Sequence, residues 1–495
     1  MMKSRSCLML LTLGLAVLLT ACGHHNNSAP TTANVRIVNA THVANLTLTS
    51  TNTASGSTAV TVASSVAAGG SSSYTAVDSG TTALVGSVGD GSLAASNSTT
   101  VGLTAGSYYT VIAFARNGII TLVTLLDGQT APATGFALFS ISNPAPDAGP
   151  LDVYVVSPGA AIDDTVTPKY QNVFSGGNSL AQSIAAGTYD IVITAYNKPA
   201  DVRLKIAGIN LKDQEIATLM LTSTTGGALV DGTLVQQDTT TSQGGAITAY
   251  NNTNARIRLV GAFSSLSQTN YTATAPDGTT NYSDSLISSS ISAGQYKLVA
   301  AGTKVQNVYL KTSGSSSTVQ PTNIVADASC QNTLYDATNH CSASKLAFNA
   351  PLVAGNEYTL LVYGDTTAMP VQSYVQLLSD NNQAPTAARV RVVNVVQLTS
   401  GDATFDVVDL FNSSVPLFQA VQYEQTSDYA GLTTGVSHLA AQVEALATPE
   451  QKIEDGKNIA LGGVYTLIMG GTTDGTNDKF TSKLLLDRCL PTIQC

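Results

Sequence analysis

The chain has 495 residues, which is long enough for roughly three to five domains. Only 11% of its residues are charged, against about 25% in typical soluble proteins, and acidic residues outnumber Lys and Arg by 32 to 22. Binding to nucleic acid depends on neutralising phosphates with Lys and Arg, so this composition argues against a nucleic-acid partner.

The first residues of the chain have the pattern of an export signal. Lys3 and Arg5 precede an apolar run, Leu8–Leu19, which contains no acidic residue. This run is too short for a membrane-spanning helix, which needs about 20 apolar residues. Residues 1–21 are therefore predicted to be a signal peptide.

The signal ends in the residues Leu19–Cys22, which read LTAC and resemble the lipobox of bacterial lipoproteins. The resemblance implies cleavage before Cys22, acylation of this cysteine, and membrane lipid as the partner of the acylated Cys22. Several acyl chains give stable anchoring where one chain would be marginal. Gly23 stands where Asp would resemble an inner-membrane retention signal, which favours the outer membrane. Residues 22–33 are predicted to be a tether.

The rest of the chain repeats itself. Similar strand-like segments contain Asn39, Asn143, Gly261 and Asn394, separated by roughly 100–130 residues, which are single-domain lengths. Similar closing segments follow each of them, such as Leu103–Thr110 and Leu352–Thr359 in the first and third copies. The predicted repeats one to four are residues 34–131, 135–240, 246–382 with an insertion at 313–344, and 387–495.

Short runs rich in Val, Thr and Tyr, broken by Gly, Asn and Asp, predict an all-β fold of tandem immunoglobulin-like β-sandwich domains on the lipidated N-terminal tether. Tyr109, Tyr358 and Tyr465 each follow a turn glycine by three residues. This pattern resembles a tyrosine corner, in which the hydroxyl bonds the backbone. We therefore predict structural roles for these three residues.

The segment His438–Lys457 is ambiguous. Leu439, Val443 and Leu446 have spacings that suit a short helix, whereas alignment with Gly187–Ile209 of the second repeat indicates a strand. The alignment predicts a strand.

The second repeat opens with Asn143–Val155, which reads NPAPDAGPLDVYV. This segment resembles the opening of domains in the domain-of-unknown-function family 4397, whose members read like VNASPDAPAVDVYV. The resemblance extends over most of residues 33–490. It implies tandem β-sandwiches of bacterial secreted and surface proteins, and it implies no catalytic residue or ligand.

Four cysteines remain after Cys7 leaves with the signal and Cys22 takes lipid. An even number of cysteines in an exported protein suggests disulfides, and four cysteines allow three pairings. Pairing between sequence neighbours predicts the bonds Cys330–Cys341 and Cys489–Cys495. The rival interpretation is a metal site, but these cysteine spacings are not those of zinc ligands.

No cofactor and no established metal site are indicated. Asp474, Asn477 and Asp478 offer clustered oxygens that could hold calcium, although a polar turn between the last two strands explains them as well. Asp147 and Asp152 are interpreted as solvated turn residues. No catalytic triad or carboxylate dyad stands out, so we predict that the chain is not an enzyme.

These observations predict a non-enzymatic cell-envelope lipoprotein, exported and anchored by lipid, that acts as an extended surface interaction, adhesion or structural module with an envelope protein or glycan as partner. The alternative is a glycan-binding surface lipoprotein, which the 19 Tyr favour and the absence of Trp disfavours. A hydrolase is the third alternative, and the sequence favours it least.

Overall fold

A computed structural model describes residues 31–488, with gaps at 42–44, 54–57, 117–118, 128–129, 238–243, 264–266, 289, 313–321, 325–350, 365–373, 384, 386, 399–400, 403, 410–415, 444–450, 454–455 and 474–479. Within these residues all regular structure is β-strand, and there is no helix that could cross a membrane. The chain forms two compact units, residues 1–128 and 129–495, and each is described by itself.

The first unit contains repeat one, a sandwich of two four-stranded sheets. Their orders are β4-β1-β7-β8 and β3-β2-β5-β6. The strands are β1 (Thr32–Ala40), β2 (Leu46–Asn52), β3 (Val60–Val66), β4 (Thr75–Asp78), β5 (Gly80–Val88), β6 (Thr99–Leu103), β7 (Tyr108–Arg116) and β8 (Ile119–Leu126). Strand β1 pairs in parallel with β7, and the other pairs are antiparallel.

Repeat two has the same architecture with two more strands than repeat one. Its sheets have the orders β11-β10-β14-β15 and β12-β9-β16-β17-β18, and β13 also pairs with β9. The strands are β9 (Phe136–Asn143), β10 (Leu151–Val156), β11 (Tyr170–Val173), β12 (Gly177–Asn178), β13 (Gln182–Ala185), β14 (Gly187–Ala195), β15 (Lys198–Leu211), β16 (Ile216–Ser223), β17 (Val230–Gln237) and β18 (Gly244–Tyr250). Strand β18 covers residues predicted to open repeat three, yet its backbone pairs with the edge of repeat two.

Repeat three follows the pattern of repeat one. Its sheets are β22-β19-β26-β27, with β23 also beside β19, and β21-β20-β24-β25. The strands are β19 (Asn254–Phe263), β20 (Ser267–Thr274), β21 (Asn281–Ser288), β22 (Ile291–Ala293), β23 (Lys297–Ala300), β24 (Lys304–Thr312), β25 (Thr322–Ile324), β26 (Glu357–Gly364) and β27 (Tyr374–Asp380). Strand β25 lies inside the predicted insertion 313–344 and pairs with β24, so part of this segment belongs to the sheet.

Repeat four has the sheets β29-β28-β37-β38, with β32 also beside β28, and β31-β30-β34-β35, and a small sheet of β33 and β36. The strands are β28 (Ala388–Leu398), β29 (Gly401–Asp402), β30 (Phe405–Asp409), β31 (Phe418–Val421), β32 (Ala430–Leu432), β33 (Gly435–Val436), β34 (Leu439–Val443), β35 (Gln451–Lys452), β36 (Asn458–Ile459), β37 (Val464–Thr473) and β38 (Phe480–Leu486). Strand β34 confirms the strand prediction for the start of the ambiguous segment at 438–457.

Each repeat has its own apolar core between its two sheets. In repeat one Tyr109, Val111 and Ala113 point into this core, as the alternation of side chains along a strand requires. Tyr358, Leu360 and Val362 do the same in repeat three. The predicted all-β fold of tandem β-sandwiches is confirmed.

The asparagine that recurs near the end of the first strand is buried and ties that strand to the opposite sheet. The side-chain amides of Asn39, Asn143 and Asn394 each donate a hydrogen bond of 2.9 Å to the carbonyl of the last residue of β3, β11 or β31. A buried amide must find such partners, because an unmade hydrogen bond costs about 1–3 kcal/mol. The repeated Asn is therefore explained by the fold alone.

The three predicted corner tyrosines accept hydrogen bonds from the turn before their strand. The hydroxyls of Tyr109, Tyr358 and Tyr465 lie 2.9, 3.0 and 2.9 Å from the backbone nitrogens of Thr104, Val353 and Ala460, respectively. The turn glycines, Gly106, Gly355 and Gly462, all have φ between 74° and 78°, where residues with a Cβ are strained. The rings are at most 9% exposed.

Candidate functional site

Three of the four repeats hold the same four polar side chains on the outer face of one sheet. We call them the Arg-Tyr-Thr-Asp set. Its members are Arg36, Tyr74, Thr110 and Asp127 in repeat one, Arg258, Tyr296, Thr359 and Asp380 in repeat three, and Arg391, Tyr429, Thr466 and Asp487 in repeat four. The parallel pairs β1 with β7, β19 with β26 and β28 with β37 place each Arg directly beside its Thr.

In repeat one the four side chains are connected by three hydrogen bonds and one cation–ring contact. Arg36 Nε donates to Thr110 Oγ1 at 2.8 Å, and the Thr110 hydroxyl donates to Asp127 Oδ2 at 2.6 Å. Tyr74 donates its hydroxyl to the same carboxylate oxygen at 2.7 Å, and its ring lies 5.0 Å from the Arg36 guanidinium carbon. Burial raises the pKa of Asp127, although the hydrogen bonds from Thr110 and Tyr74 oppose this shift.

In repeats three and four the sets exchange partners. Each Arg again donates Nε to its own Thr, at 2.9 Å for Arg258 and 3.0 Å for Arg391. The end of each guanidinium, however, pairs with the Asp of the other repeat. Arg258 Nη2 lies 2.5 Å from Asp487 Oδ1, and Arg391 Nη2 pairs with Asp380 Oδ1. The two repeats are thus joined by two reciprocal ion pairs.

The exchanged ion pairs lie beside an apolar seam between the two sheets. This seam contains six side chains of repeat three and four of repeat four, all at most 7% exposed. They are Val260, Ala262, Ile291, Leu361, Tyr363, Leu378, Val393, Val395, Ile468 and Leu485. Because the seam excludes water, the attraction between each pair of charges is stronger than it would be at the surface.

The charged state of these groups follows from burial and pairing. Burial raises the pKa of Asp487, and the neighbouring Arg258 opposes this shift. Burial alone would lower the pKa of Arg258, but Tyr296 and the two aspartates outweigh it, so this pKa is raised. The guanidinium carbons of Arg256 and Arg258 lie 4.6 and 4.7 Å from the Tyr296 ring, which supports both cations.

Repeat two joins repeat three through a buried carboxylate. Glu357 is fully buried and accepts hydrogen bonds from the Ala228 nitrogen at 3.2 Å and from the Asn382 amide. Burial raises the pKa of Glu357, and Arg256 and Arg203 oppose this shift.

The backbones of repeats two and three also approach closely at this junction. The nitrogen of Gly226 donates to the Gly355 carbonyl at 2.8 Å. At Gly227, which has φ of 105°, a Cβ would stand 2.5 Å from the backbone of Asn382 and Gln383. Only glycine suits this position, so the junction depends on a residue that carries no side chain.

A cavity of about 630 Å³ opens where repeats two, three and four meet. Arg256, Arg258 and Tyr296 of repeat three form one wall, and Lys483 and Asp487 of repeat four form another. The segment 197–201 of repeat two closes it. This volume is within the range of small-molecule sites in proteins, about 300–1,000 Å³.

Most of the predicted site residues lie outside the described residues. They are Cys22, the disulfide cysteines Cys330, Cys341, Cys489 and Cys495, and the calcium candidates Asp474, Asn477 and Asp478. Within the described parts of the chain no group of three or more His, Cys, Asp or Glu residues is arranged to hold a metal ion.

Asp147 and Asp152 are not solvated, contrary to the interpretation from sequence. Their exposed fractions are 1% and 2%. The two oxygens of Asp152 accept hydrogen bonds of 2.9 Å from the backbone nitrogens of Asn172 and Asn197. Both asparagines have positive φ, 51° inside β11 for Asn172 and 56° in the turn after β14 for Asn197, so Asp152 stabilises two strained backbone positions at once.

Sequence reasoning missed the Arg-Tyr-Thr-Asp set, although its signal was present. Arg36, Arg258 and Arg391 each stand between two apolar residues at the same position of the first strand of their repeat. A charge on a buried strand needs a partner, since Arg is almost never fully buried unless it is paired. Repeat two has Ser140 at this position, and Ser140 Oγ lies 2.9 Å from Thr218 Oγ1.

Comparison with protein families identifies the start of the repeated region. Residues 33–154 match the family described as domain of unknown function DUF4397. This DUF4397 match covers repeat one and ends inside the motif Asn143–Val155. The resemblance that this motif carries is therefore confirmed for residues 33–154.

No curated protein matches the chain. Among solved structures, the chain resembles a proposed cell adhesion protein from Bacteroides uniformis (12% identity, TM-score 0.21, covering 51% of this chain and 100% of that one). It also resembles the Bacillus anthracis TIE protein, with 10% identity and a TM-score of 0.13, covering 96% of this chain and 79% of that one. A proposed cell adhesion protein from Parabacteroides distasonis has 9% identity and a TM-score of 0.14, covering 54% of this chain and 98% of that one. These TM-scores are too low to support an argument about fold or function.

Proposed function

We propose that this protein is a non-enzymatic cell-envelope lipoprotein that acts as a surface adhesion or structural module, anchored in the outer membrane through acylated Cys22. The observation that carries the proposal is the reciprocal exchange of Arg258 and Arg391 between repeats three and four. A chain that serves as a spacer or adhesin must transmit force from the cell to its contact. Two buried ion pairs and an apolar seam join these sandwiches more firmly than a flexible linker would.

The arrangement of polar groups supports a structural role. In repeats three and four the Asp of each set accepts hydrogen bonds from a Thr and an Arg, and these donors all belong to the protein. Groups that satisfy each other in this way stabilise a fold.

The proposal is tested with cells in a flow chamber. We compare cells that produce the full-length protein, cells that lack it, and cells with Cys22→Ala, and we measure the shear at which attached cells detach. We expect both altered strains to detach at lower shear, and the Cys22→Ala protein to lose labelling by a palmitate analogue and leave the membrane fraction. Equal retention of all three strains would contradict the adhesion role, and labelling of Cys22→Ala would contradict the anchor.

A further inference from the structure

The cavity between repeats two, three and four has the charge and shape of a ligand site. Arg256 lines it and its side chain is only 5% exposed. The two carboxylates nearest to Arg256 Nη1 are Glu357 at 3.5 Å and Asp201 at 3.8 Å. Within the described residues neither Nε nor Nη1 of Arg256 has a hydrogen-bond acceptor.

Both neighbouring carboxylates are engaged with other donors. Glu357 accepts from the backbone of Ala228 and from the amide of Asn382, and Asp201 Oδ2 pairs with Arg203 at 2.9 Å. Arg256 therefore has two carboxylates at ion-pair distance, but within the described residues its Nε and Nη1 donate no hydrogen bond. A buried guanidinium group with unmade hydrogen bonds favours a further acceptor oxygen close to it.

The remaining walls decide which anion fits. Besides Arg256, the cations Arg258, Lys198 and Lys483 line the cavity. Three carboxylates line it too, so four positive charges face three negative ones: Asp164, Asp201 and Asp487. Between the charged groups the walls are apolar, and they include Ala293, Pro199 and Leu484. We propose that the cavity binds a small carboxylic acid with an apolar body, whose carboxylate lies against the Arg256 side of the cavity and whose body covers the apolar walls.

Arg is suited to this task because its planar guanidinium matches a carboxylate. The ring of Tyr296 holds the Arg256 guanidinium carbon at 4.6 Å, so little rotamer freedom is lost when a ligand binds. The inference goes beyond the proposed adhesion role. It does not rest on that role, because it follows from the residues that line the cavity, all of which belong to the unit 129–495.

The test is calorimetric titration of the full-length protein with decanoate, with acetate and decan-1-ol as matched probes. Acetate has the anion without the body, and decan-1-ol has the body without the anion. We expect decanoate to bind at least about tenfold more tightly than either. Equal binding of decan-1-ol would overturn the assignment of an anion site, and no binding of decanoate would overturn the proposal.

Two variants locate the binding. Ala293→Phe fills the cavity from an exposed position and should weaken decanoate binding at least about tenfold, whereas Ala185→Phe, exposed and away from the cavity, should leave it unchanged. Lys483→Gln should weaken it about threefold, in line with an exposed charge. Thermal unfolding verifies that each variant is folded. Undiminished binding to a folded Ala293→Phe protein would place the ligand elsewhere and overturn the proposal.

Discussion

Removing one partner of the exchanged ion pairs should destabilise the contact between repeats three and four. The substitution Asp487→Asn keeps the size of the side chain but leaves Arg258 buried without its counter-charge. The side chains of Arg258 and Asp487 are 4% and 0% exposed, and the nitrogen and oxygen lie 2.5 Å apart. Two unit charges about 4 Å apart attract by about 4 kcal/mol at an effective dielectric constant of about 20. Breaking a buried pair typically costs about 3–5 kcal/mol, which agrees with this value.

The assay is hydrogen–deuterium exchange of the full-length protein, read in peptides from β26, β28 and β37. Exchange through local opening reports the free energy of that opening. A loss of about 3–5 kcal/mol should speed exchange there by a factor of about one hundred to a few thousand. Peptides from β2 and β5 in repeat one should be unaffected.

A surface ion pair supplies the matched control. Lys297 Nζ lies 2.6 Å from Asp284 Oδ1, but the Lys297 side chain is 49% exposed, so Lys297→Gln should cost only about 0–1 kcal/mol. The double variant Arg258→Met with Asp487→Asn should regain most of the lost stability, since no uncompensated charge remains. The reasoning is refuted if Asp487→Asn speeds exchange in β28 and β37 no more than Lys297→Gln does.

Three further predictions concern stability and covalent structure. Tyr358→Phe removes one hydrogen bond and should lower the free energy of unfolding by about 0.5–1.5 kcal/mol, whereas Tyr358→Ala should lower it by about 3–5 kcal/mol. Denaturant unfolding measures both values. Finding the wild-type ring stacked on a ligand would contradict the structural role. Burial raises the pKa of Glu357, so the folded protein holds this proton more tightly than the unfolded chain, and stability is lost as pH rises above about 4.3 through the raised pKa. The melting temperature of Glu357→Gln minus that of the wild type should therefore increase as pH rises from 4 to 7. A decrease of this difference would show that folding lowers the pKa of Glu357. Peptide mapping without reductant should find the disulfides Cys330–Cys341 and Cys489–Cys495, each of which should stabilise the fold by about 2–3 kcal/mol on the chain-entropy model. Free thiols at all four positions would refute this prediction.

Local patterns were sufficient to predict the sandwich fold. The alternation of apolar residues along β7 and β26 is fixed by the geometry of a strand, and it correctly placed Tyr109 and Tyr358 in their cores. Asn39, Asn143 and Asn394 recur in the first strand of three repeats, but the sequence did not indicate what their amides bind. Their acceptors are carbonyl groups 27 to 30 residues away along the chain, so the contact depends on the path of the intervening loop.

The sequence by itself determined the elements that depend on neighbours along the chain: the strands, the turn glycines before the corner tyrosines, and the repetition. Only the tertiary structure decided which charges meet. Arg258 and Asp487 are separated by 229 residues, and each has an equivalent partner nearer in sequence, since Asp380 lies in the same repeat as Arg258. The choice between these aspartates depends on how two sheets pack face to face across the apolar seam. A strand pattern specifies which face is apolar, but it does not specify which other face will cover it.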